Sequence, residues 1–263
     1  MTIVWGYKQT RRGRGYIAEW CPVCREMTAH KLIRMGSAFH INYVNFTDGR
    51  LLGFELRCEQ CQTPYWLEEH HYPHFTAERL PLDQLIRETH PDYHQRFAQV
   101  LALSQKARTE PMQLTGEERH FLMASALVAL SYKWERHESG TRARLALCWQ
   151  ASIGLLFAGA VYAVAEAHAE PLTWTLAGIM AGSALLITTG LRRWARQQYL
   201  RRHIYPALAR SMAPLQLPVS ELQQVLRELR EDGYELASVL DETSLLHEAD
   251  RYLQLSPIHG INA

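Results

Sequence analysis

The most prominent pattern along the chain is a pair of long apolar runs separated by a short acidic loop. The first run, Leu145 to Ala165, contains no charged residue and one strongly polar residue, Gln150. The second run, Pro171 to Leu191, is of similar length and is also uncharged. As an α-helix, each run would span roughly 30 Å, which is the thickness of the hydrocarbon layer of a bilayer. The pattern therefore predicts a transmembrane helical hairpin over residues 145–191.

The charges around these runs predict an orientation for the hairpin. The connecting loop contains Glu166 and Glu170, whereas the flanking segments are basic, with Lys133, Arg136, Arg142, Arg144, Arg192, Arg193, Arg196, Arg201 and Arg202. Because Lys and Arg are enriched on the cytoplasmic side, we expect an integral membrane protein with both termini in the cytoplasm. The alternative is a pair of buried helices in a soluble domain, where apolar runs of about 10–14 residues are more usual.

Small residues within the runs indicate how the two helices pack. Gly178 and Gly182 lie four positions apart in the second run, and Gly154 and Ala158 form a looser pair in the first. Small side chains let two backbones approach closely and gain dispersion contacts. These pairs predict packing within the hairpin or, alternatively, a homo-oligomer formed through Gly178 and Gly182.

The segments outside the apolar runs show shorter periodicities. Residues 30–35, 39–46 and 51–56 are rich in β-forming residues, and Asp48-Gly49 is a strong hairpin turn. Helical patterns cover residues 76–138 and much of 192–253, with capping boxes beginning at Thr115 and Ser220.

We therefore predict a multidomain membrane protein, in which a small β domain precedes mainly α segments with a two-helix transmembrane hairpin. The predicted divisions are the β domain at 1–68, a cytoplasmic helical segment at 69–144, the hairpin at 145–191 and a cytoplasmic helical segment at 192–263. The overall composition, 47% hydrophobic and 21% charged with a net charge of +1, is that of a folded chain.

Four of the five cysteines form two Cys-x-x-Cys pairs, Cys21 with Cys24 and Cys58 with Cys61. Two intervening residues allow a tight turn that directs both sulfurs at one point, and two such turns complete a tetrahedral sulfur site. The spacing therefore predicts a structural Zn²⁺ site. A redox dithiol is the competing interpretation of each pair, but two pairs without the expected strand and helix context favour the metal.

The Cys21-Pro22-Val23-Cys24 turn follows a lead that contains glycine and arginine, Arg11 to Tyr16. In these features the first quarter of the chain resembles bacterial zinc-ribbon proteins. The resemblance implies that Cys21, Cys24, Cys58 and Cys61 are all structural ligands. Taken with the predicted hairpin, it leads us to expect a protein of the bacterial inner membrane. The gap between the two turns is longer than the roughly 15–20 residues usual for such ribbons, so we expect an additional strand or loop.

Histidines crowd one segment, with His70, His71, His74, His90 and His94. Pro73 and Pro91 interrupt the pairs that would share a helix face, so we interpret these histidines as surface or interface residues rather than as a second metal site.

The sequence contains no motif of a known catalytic centre, so we expect no enzymatic activity. The leading hypothesis is a membrane-anchored scaffold or regulatory adaptor that recruits a cytosolic protein partner to the lipid bilayer. The alternative is a subunit of an oligomeric channel or transporter, with the zinc ribbon as an assembly or gating module. We do not expect nucleic acid as a partner, because the basic excess of the first domain is small.

Overall fold

The computed structural model describes residues 5–42, 44–45, 47–67, 74–166, 189–215 and 218–255, with the backbone alone at 142–166. Contacts divide the chain into two compact units. The first comprises Met1–Lys133 together with Tyr205–Ala263, and the second comprises Trp134–Ile204.

The first unit begins with an antiparallel sheet of five strands. In chain order they are β1 (Trp5–Cys21), β2 (Glu26–Ile41), β3 (Val44–Asn45), β4 (Arg50–Cys58) and β5 (Pro64–Leu67). The spatial order is β1-β2-β4-β5, and β3 pairs with β2. The segment predicted as a strand at 30–35 lies within β2, whereas the one predicted at 39–46 is divided between the end of β2 and β3. Strand β2 fills about half of the long gap between the two cysteine pairs, and β3 and β4 follow it there.

Alternation along the strands gives the sheet two apolar faces. On one face, Ile17, Leu32 and Leu56 are fully buried and form a core with Phe54 and Tyr65. The other face carries Ala18 and Met27, which pack with Leu85 and Phe97 from the helices that follow. Because successive side chains point to opposite faces, each long strand contributes to both cores.

Eight helices are described. They are α1 (Leu82–Thr89), α2 (Tyr93–Thr109), α3 (Gly116–Glu166), α4 (whose described part is 189–199), α5 (Tyr205–Met212), α6 (Val219–Glu231), α7 (Glu235–Val239) and α8 (Glu242–Leu255). A π-helical turn, Leu200–Ile204, separates α4 from α5.

Only one of the two predicted capping boxes forms as expected. The Glu118 carboxylate accepts from the Thr115 backbone N–H at 2.8 Å, and the Thr115 hydroxyl accepts from the Glu118 N–H at 3.2 Å. The box predicted at Ser220 is wrong, because α6 already begins at Val219 after Pro218.

The predicted transmembrane hairpin is contradicted. In the described part of the chain, no helix has both the length and the apolar composition needed to cross a bilayer. The first predicted span does not form a helix of its own, because its residues are the C-terminal part of the 51-residue helix α3. Most of the second predicted span, together with Gly178 and Gly182, lies outside the described residues. The predicted integral membrane localisation, with both termini in the cytoplasm, is accordingly wrong.

In the second unit, two arginines of α4 form ion pairs with a buried carboxylate of α3. Glu138 is almost fully buried, and its carboxylate accepts from Arg196 Nε at 2.8 Å and from Arg192 Nη2 at 3.4 Å. The Arg196 guanidinium also lies over the ring of Trp134, which is one helical turn before Glu138 on α3, at 5.5 Å from the ring centroid. A buried carboxylate needs such partners because removing it from water is costly.

A second buried carboxylate, Glu55, links the sheet to α3. Arg11 Nη2 donates to its two carboxylate oxygens at 2.5 and 2.6 Å, and the Tyr132 hydroxyl donates at 3.2 Å. Burial and the nearby carboxylate raise the pKa of Tyr132, which keeps its hydroxyl protonated as a donor. These contacts fix β1 and β4 against one face of α3.

Replacing Arg11 tests this linkage. We expect Arg11→Met to lower the free energy of unfolding by about 2–3 kcal/mol, because it removes the main partner of a buried charge. The neighbouring ion pair of Arg12 with Asp48 is more exposed, so Arg12→Met should cost less than about 1 kcal/mol. Urea titration of both variants measures the difference. Equal losses of unfolding free energy would contradict the role of Arg11 as the main partner of the buried Glu55.

Candidate metal centre

The two Cys-x-x-Cys segments fold into turns of the same design. In the first turn, Arg25 N–H donates to the Cys21 carbonyl at 2.7 Å. In the second, Gln62 N–H donates to the Cys58 carbonyl at 3.0 Å. Arg25 and Gln62 both adopt left-handed backbone conformations, with φ of 57° and 56°. The backbone of each segment therefore turns back immediately after the second cysteine of its pair.

Strand pairing brings the two turns together. The first turn connects β1 to β2, and Cys21 pairs with Glu26 at the end of that ladder. The second turn follows β4, whose last residue, Cys58, pairs with His30 of β2. Both turns therefore lie at the same end of the sheet, although they are far apart in sequence.

The sulfur geometry fits a tetrahedral metal site. All four Sγ atoms, of Cys21, Cys24, Cys58 and Cys61, lie within 4.8 Å of one another. The Cys21–Cys61 and Cys24–Cys58 sulfur pairs are separated by 3.6 and 3.9 Å. Tetrahedral zinc with sulfur ligands at about 2.3 Å requires sulfur separations of about 3.8 Å. The donor set and its spacing thus fit one zinc ion, as the sequence predicted for these four residues.

Crowding of the sulfurs alters their acidity. Hydrogen bonding from Cys21 lowers the pKa of the Cys58 thiol, and lowers that of Cys61 to about 6. The pKa of Cys21 is raised instead, mainly by its contact with Cys24. Because the thiolate is the form that binds a metal, zinc binding would release the protons that remain on these thiols.

Side chains from the helices approach the turns. Arg108, near the end of α2, donates through Nη2 to the carbonyl oxygens of Arg25 at 3.0 Å and Cys24 at 3.5 Å. Burial lowers the pKa of Lys133 on α3, while the nearby Cys61 sulfur opposes that shift. A cation at this position offsets part of the negative charge of a four-thiolate site.

A polar group that the sequence analysis missed lies directly behind Cys58. Thr28 Oγ1 is 3.3 Å from the Cys58 sulfur, and it is followed on β2 by the fully buried His30. His30 Nε2 is 2.9 Å from the hydroxyl of Tyr65 on β5. Nothing in the spacing of these residues indicates the contact, because it depends on the pairing of three strands.

The described histidines of the histidine-rich segment do not form a metal site. Among the described residues, the cysteine cluster is the only group of three or more His, Cys, Asp or Glu side chains close enough to share an ion. His90 is buried with Nε2 2.7 Å from the Ala18 carbonyl, and His94 packs against Tyr93. His70 and His71 lie outside the described residues.

Comparisons with known proteins give no family assignment. No protein-family model matches the chain. No match was found among curated proteins or among solved structures either. The similarity to zinc-ribbon proteins therefore consists of four clustered cysteines on an antiparallel sheet.

The left-handed position after the second cysteine pair gives a test of the turn. We expect Gln62→Val to lower the free energy of unfolding of the zinc-loaded protein by about 1–2 kcal/mol, because a branched side chain is strained at positive φ. Gln62→Asn should have a smaller effect, since Asn tolerates this conformation. Gln60→Val, at a neighbouring exposed position, is the control. Equal urea midpoints for Gln62→Val and Gln60→Val would contradict the turn geometry.

Proposed function

We propose that this chain is a zinc-stabilised scaffold or adaptor, in which one structural Zn²⁺ ion is bound by Cys21, Cys24, Cys58 and Cys61. The observation that carries the proposal is the convergence of four sulfur atoms within 4.8 Å. Four thiolates complete the coordination of zinc and leave no position for a substrate. The metal therefore has a structural role, and it supplies the folding energy that holds the two turns together.

A redox function for either cysteine pair is less well supported. Sulfur contacts at 3.6 and 3.9 Å connect cysteines of different turns, so the two pairs form one common site. A dithiol that cycles through a disulfide within one Cys-x-x-Cys does not need a second pair beside it. The arrangement favours a shared ion.

Zinc content tests the metal assignment. The purified full-length protein should contain about one zinc per chain by elemental analysis, and a strong chelator should abolish cooperative unfolding of the sheet. Cys58→Ser should lose the metal. Cys148→Ser, which removes the fifth cysteine and leaves both pairs intact, should retain it. A folded, metal-free protein after purification without chelator would overturn the assignment.

The adaptor part of the proposal is supported by an exposed apolar surface at the far end of the β1–β2 ladder. This surface, called here the aromatic surface, consists of Trp5, Tyr7, Phe39, Ile41 and Val44. Trp5 and Tyr7 are 72% and 79% exposed. Their ring centroids lie 6.4 and 5.8 Å from that of Phe39. Contiguous apolar side chains of this kind are typical of surfaces that bind other proteins.

The basic side chains of the sheet support a protein partner over nucleic acid. Arg12 and Arg14 contact the Asp48 carboxylate, and Arg34 donates to the carbonyl oxygens of Asp48 and Gly49. Arginines engaged in this way are less available for phosphate contacts, which dominate nucleic-acid affinity. The proposed partner is accordingly a protein.

The aromatic surface gives a test of partner binding. We expect Trp5→Ser combined with Tyr7→Ser to abolish specific crosslinks between the full-length protein and its partner, because both residues lie on the exposed apolar face. Met112→Gln changes an equally exposed but isolated apolar residue and should leave the crosslinks unchanged. Identical crosslinks from the two variants would exclude the aromatic surface as the binding site.

The channel or transporter alternative requires helices that cross a membrane. No helix in the described ranges meets that requirement, so no structural observation favours this alternative. The expectation that the chain has no enzymatic activity stays a prediction.

A further inference from the structure

A chain of buried hydrogen bonds leads from β5 to one of the four sulfurs. The Tyr65 hydroxyl lies 2.9 Å from His30 Nε2, and His30 Nδ1 lies 3.0 Å from the Thr28 carbonyl oxygen. The Thr28 hydroxyl in turn lies 3.3 Å from Cys58 Sγ. Thr28, His30 and Cys58 are all buried, so water does not compete for these contacts.

The partners determine the direction of each hydrogen bond. A carbonyl oxygen can only accept, so His30 Nδ1 carries the proton and Nε2 accepts from the Tyr65 hydroxyl. Because Nδ1 is protonated, it cannot accept the proton of the Thr28 hydroxyl, although the two atoms are 3.5 Å apart. That proton therefore has the Cys58 sulfur as its acceptor.

We propose that Thr28, oriented by His30 and Tyr65, is a positioning residue that donates a hydrogen bond to the Cys58 thiolate and so strengthens zinc binding. This inference rests on the proposed zinc site. A hydrogen-bond donor to a thiolate ligand disperses the charge of the sulfur and fixes the direction of its lone pairs. Such outer partners contribute about 10–100-fold to metal affinity. Cys21 receives a backbone donor instead, the Cys24 N–H at 3.5 Å.

The chain offers a matched control for this hydroxyl. Thr63 is also fully buried and lies on the segment that joins β4 to β5. Its hydroxyl has no hydrogen-bond partner among the described residues. Thr63→Val therefore removes a buried hydroxyl near the site without removing a contact to sulfur.

Zinc affinity of the full-length variants is the first measurement, by competition with a chromophoric chelator. Thr28→Val should bind zinc about 10-fold more weakly than the unaltered chain. Thr28→Ser, which keeps the donor, and Thr63→Val should both bind within about twofold of it. Equal affinities for Thr28→Val and Thr63→Val would overturn this inference alone. Failure of the unaltered chain to bind zinc would overturn the proposed function, and the inference with it.

The second measurement separates hydrogen bonding from a general loss of packing. In the Co²⁺-loaded protein, the sulfur-to-metal charge-transfer band should move to lower energy in Thr28→Val, because the thiolate electrons lose a stabilising donor. Thr28→Ala should move the band in the same direction, because it removes the same hydroxyl from Cys58. Thr28→Ser keeps the donor and should leave the band in place. Should Thr28→Val not fold, an unmoved band in Thr28→Ala overturns the inference.

Discussion

The pairing register of β2 with its two neighbours is the constraint on which the metal centre depends. Cys21 ends the β1–β2 ladder opposite Glu26, and Cys58 ends the β2–β4 ladder opposite His30. Because side chains alternate across a strand, a shift of one residue would move Cys58 to the opposite face of the sheet. The core of Ile17, Leu32 and Leu56, one residue from each strand, opposes such a shift. Apolar packing therefore stabilises the register that brings the sulfurs together.

The metal centre and the helices also depend on each other. Arg108 at the end of α2 donates to carbonyl oxygens of the first cysteine turn, while Trp20, next to Cys21, donates through Nε1 to Ser104 of the same helix at 3.1 Å. These contacts anchor α2 to a turn whose conformation requires the sulfurs to converge. Loss of the metal would consequently loosen part of the helix packing as well as the turns.

The sequence allowed the four ligands to be predicted because Cys-x-x-Cys spacing is local and the required geometry follows from two intervening residues. It did not indicate the length of β1, whose residues from Lys8 to Arg14 are largely polar or glycine. Apart from Thr10, the residues of that segment are exposed, so its conformation is determined by pairing with β2 rather than by an apolar pattern. The link from Thr28 through His30 to Tyr65 was missed for the same reason, since it is created by partners distant in sequence.

The membrane prediction failed because an uncharged stretch of sequence was taken to be a whole helix. Residues 145–165 were interpreted as a helix of their own, whereas α3 begins at Gly116 and reaches them as one continuous helix. The charge argument had a similar weakness. Arg192 and Arg196 were counted as flanking charges that select the cytoplasmic side, yet both donate to the buried Glu138. An arginine that compensates a buried carboxylate satisfies a requirement of packing, so its position in the sequence does not report on a membrane. Lys133 was also counted as a flanking charge. Its side chain is partly buried near the Cys61 sulfur, and burial lowers its pKa, so its position too is explained by packing.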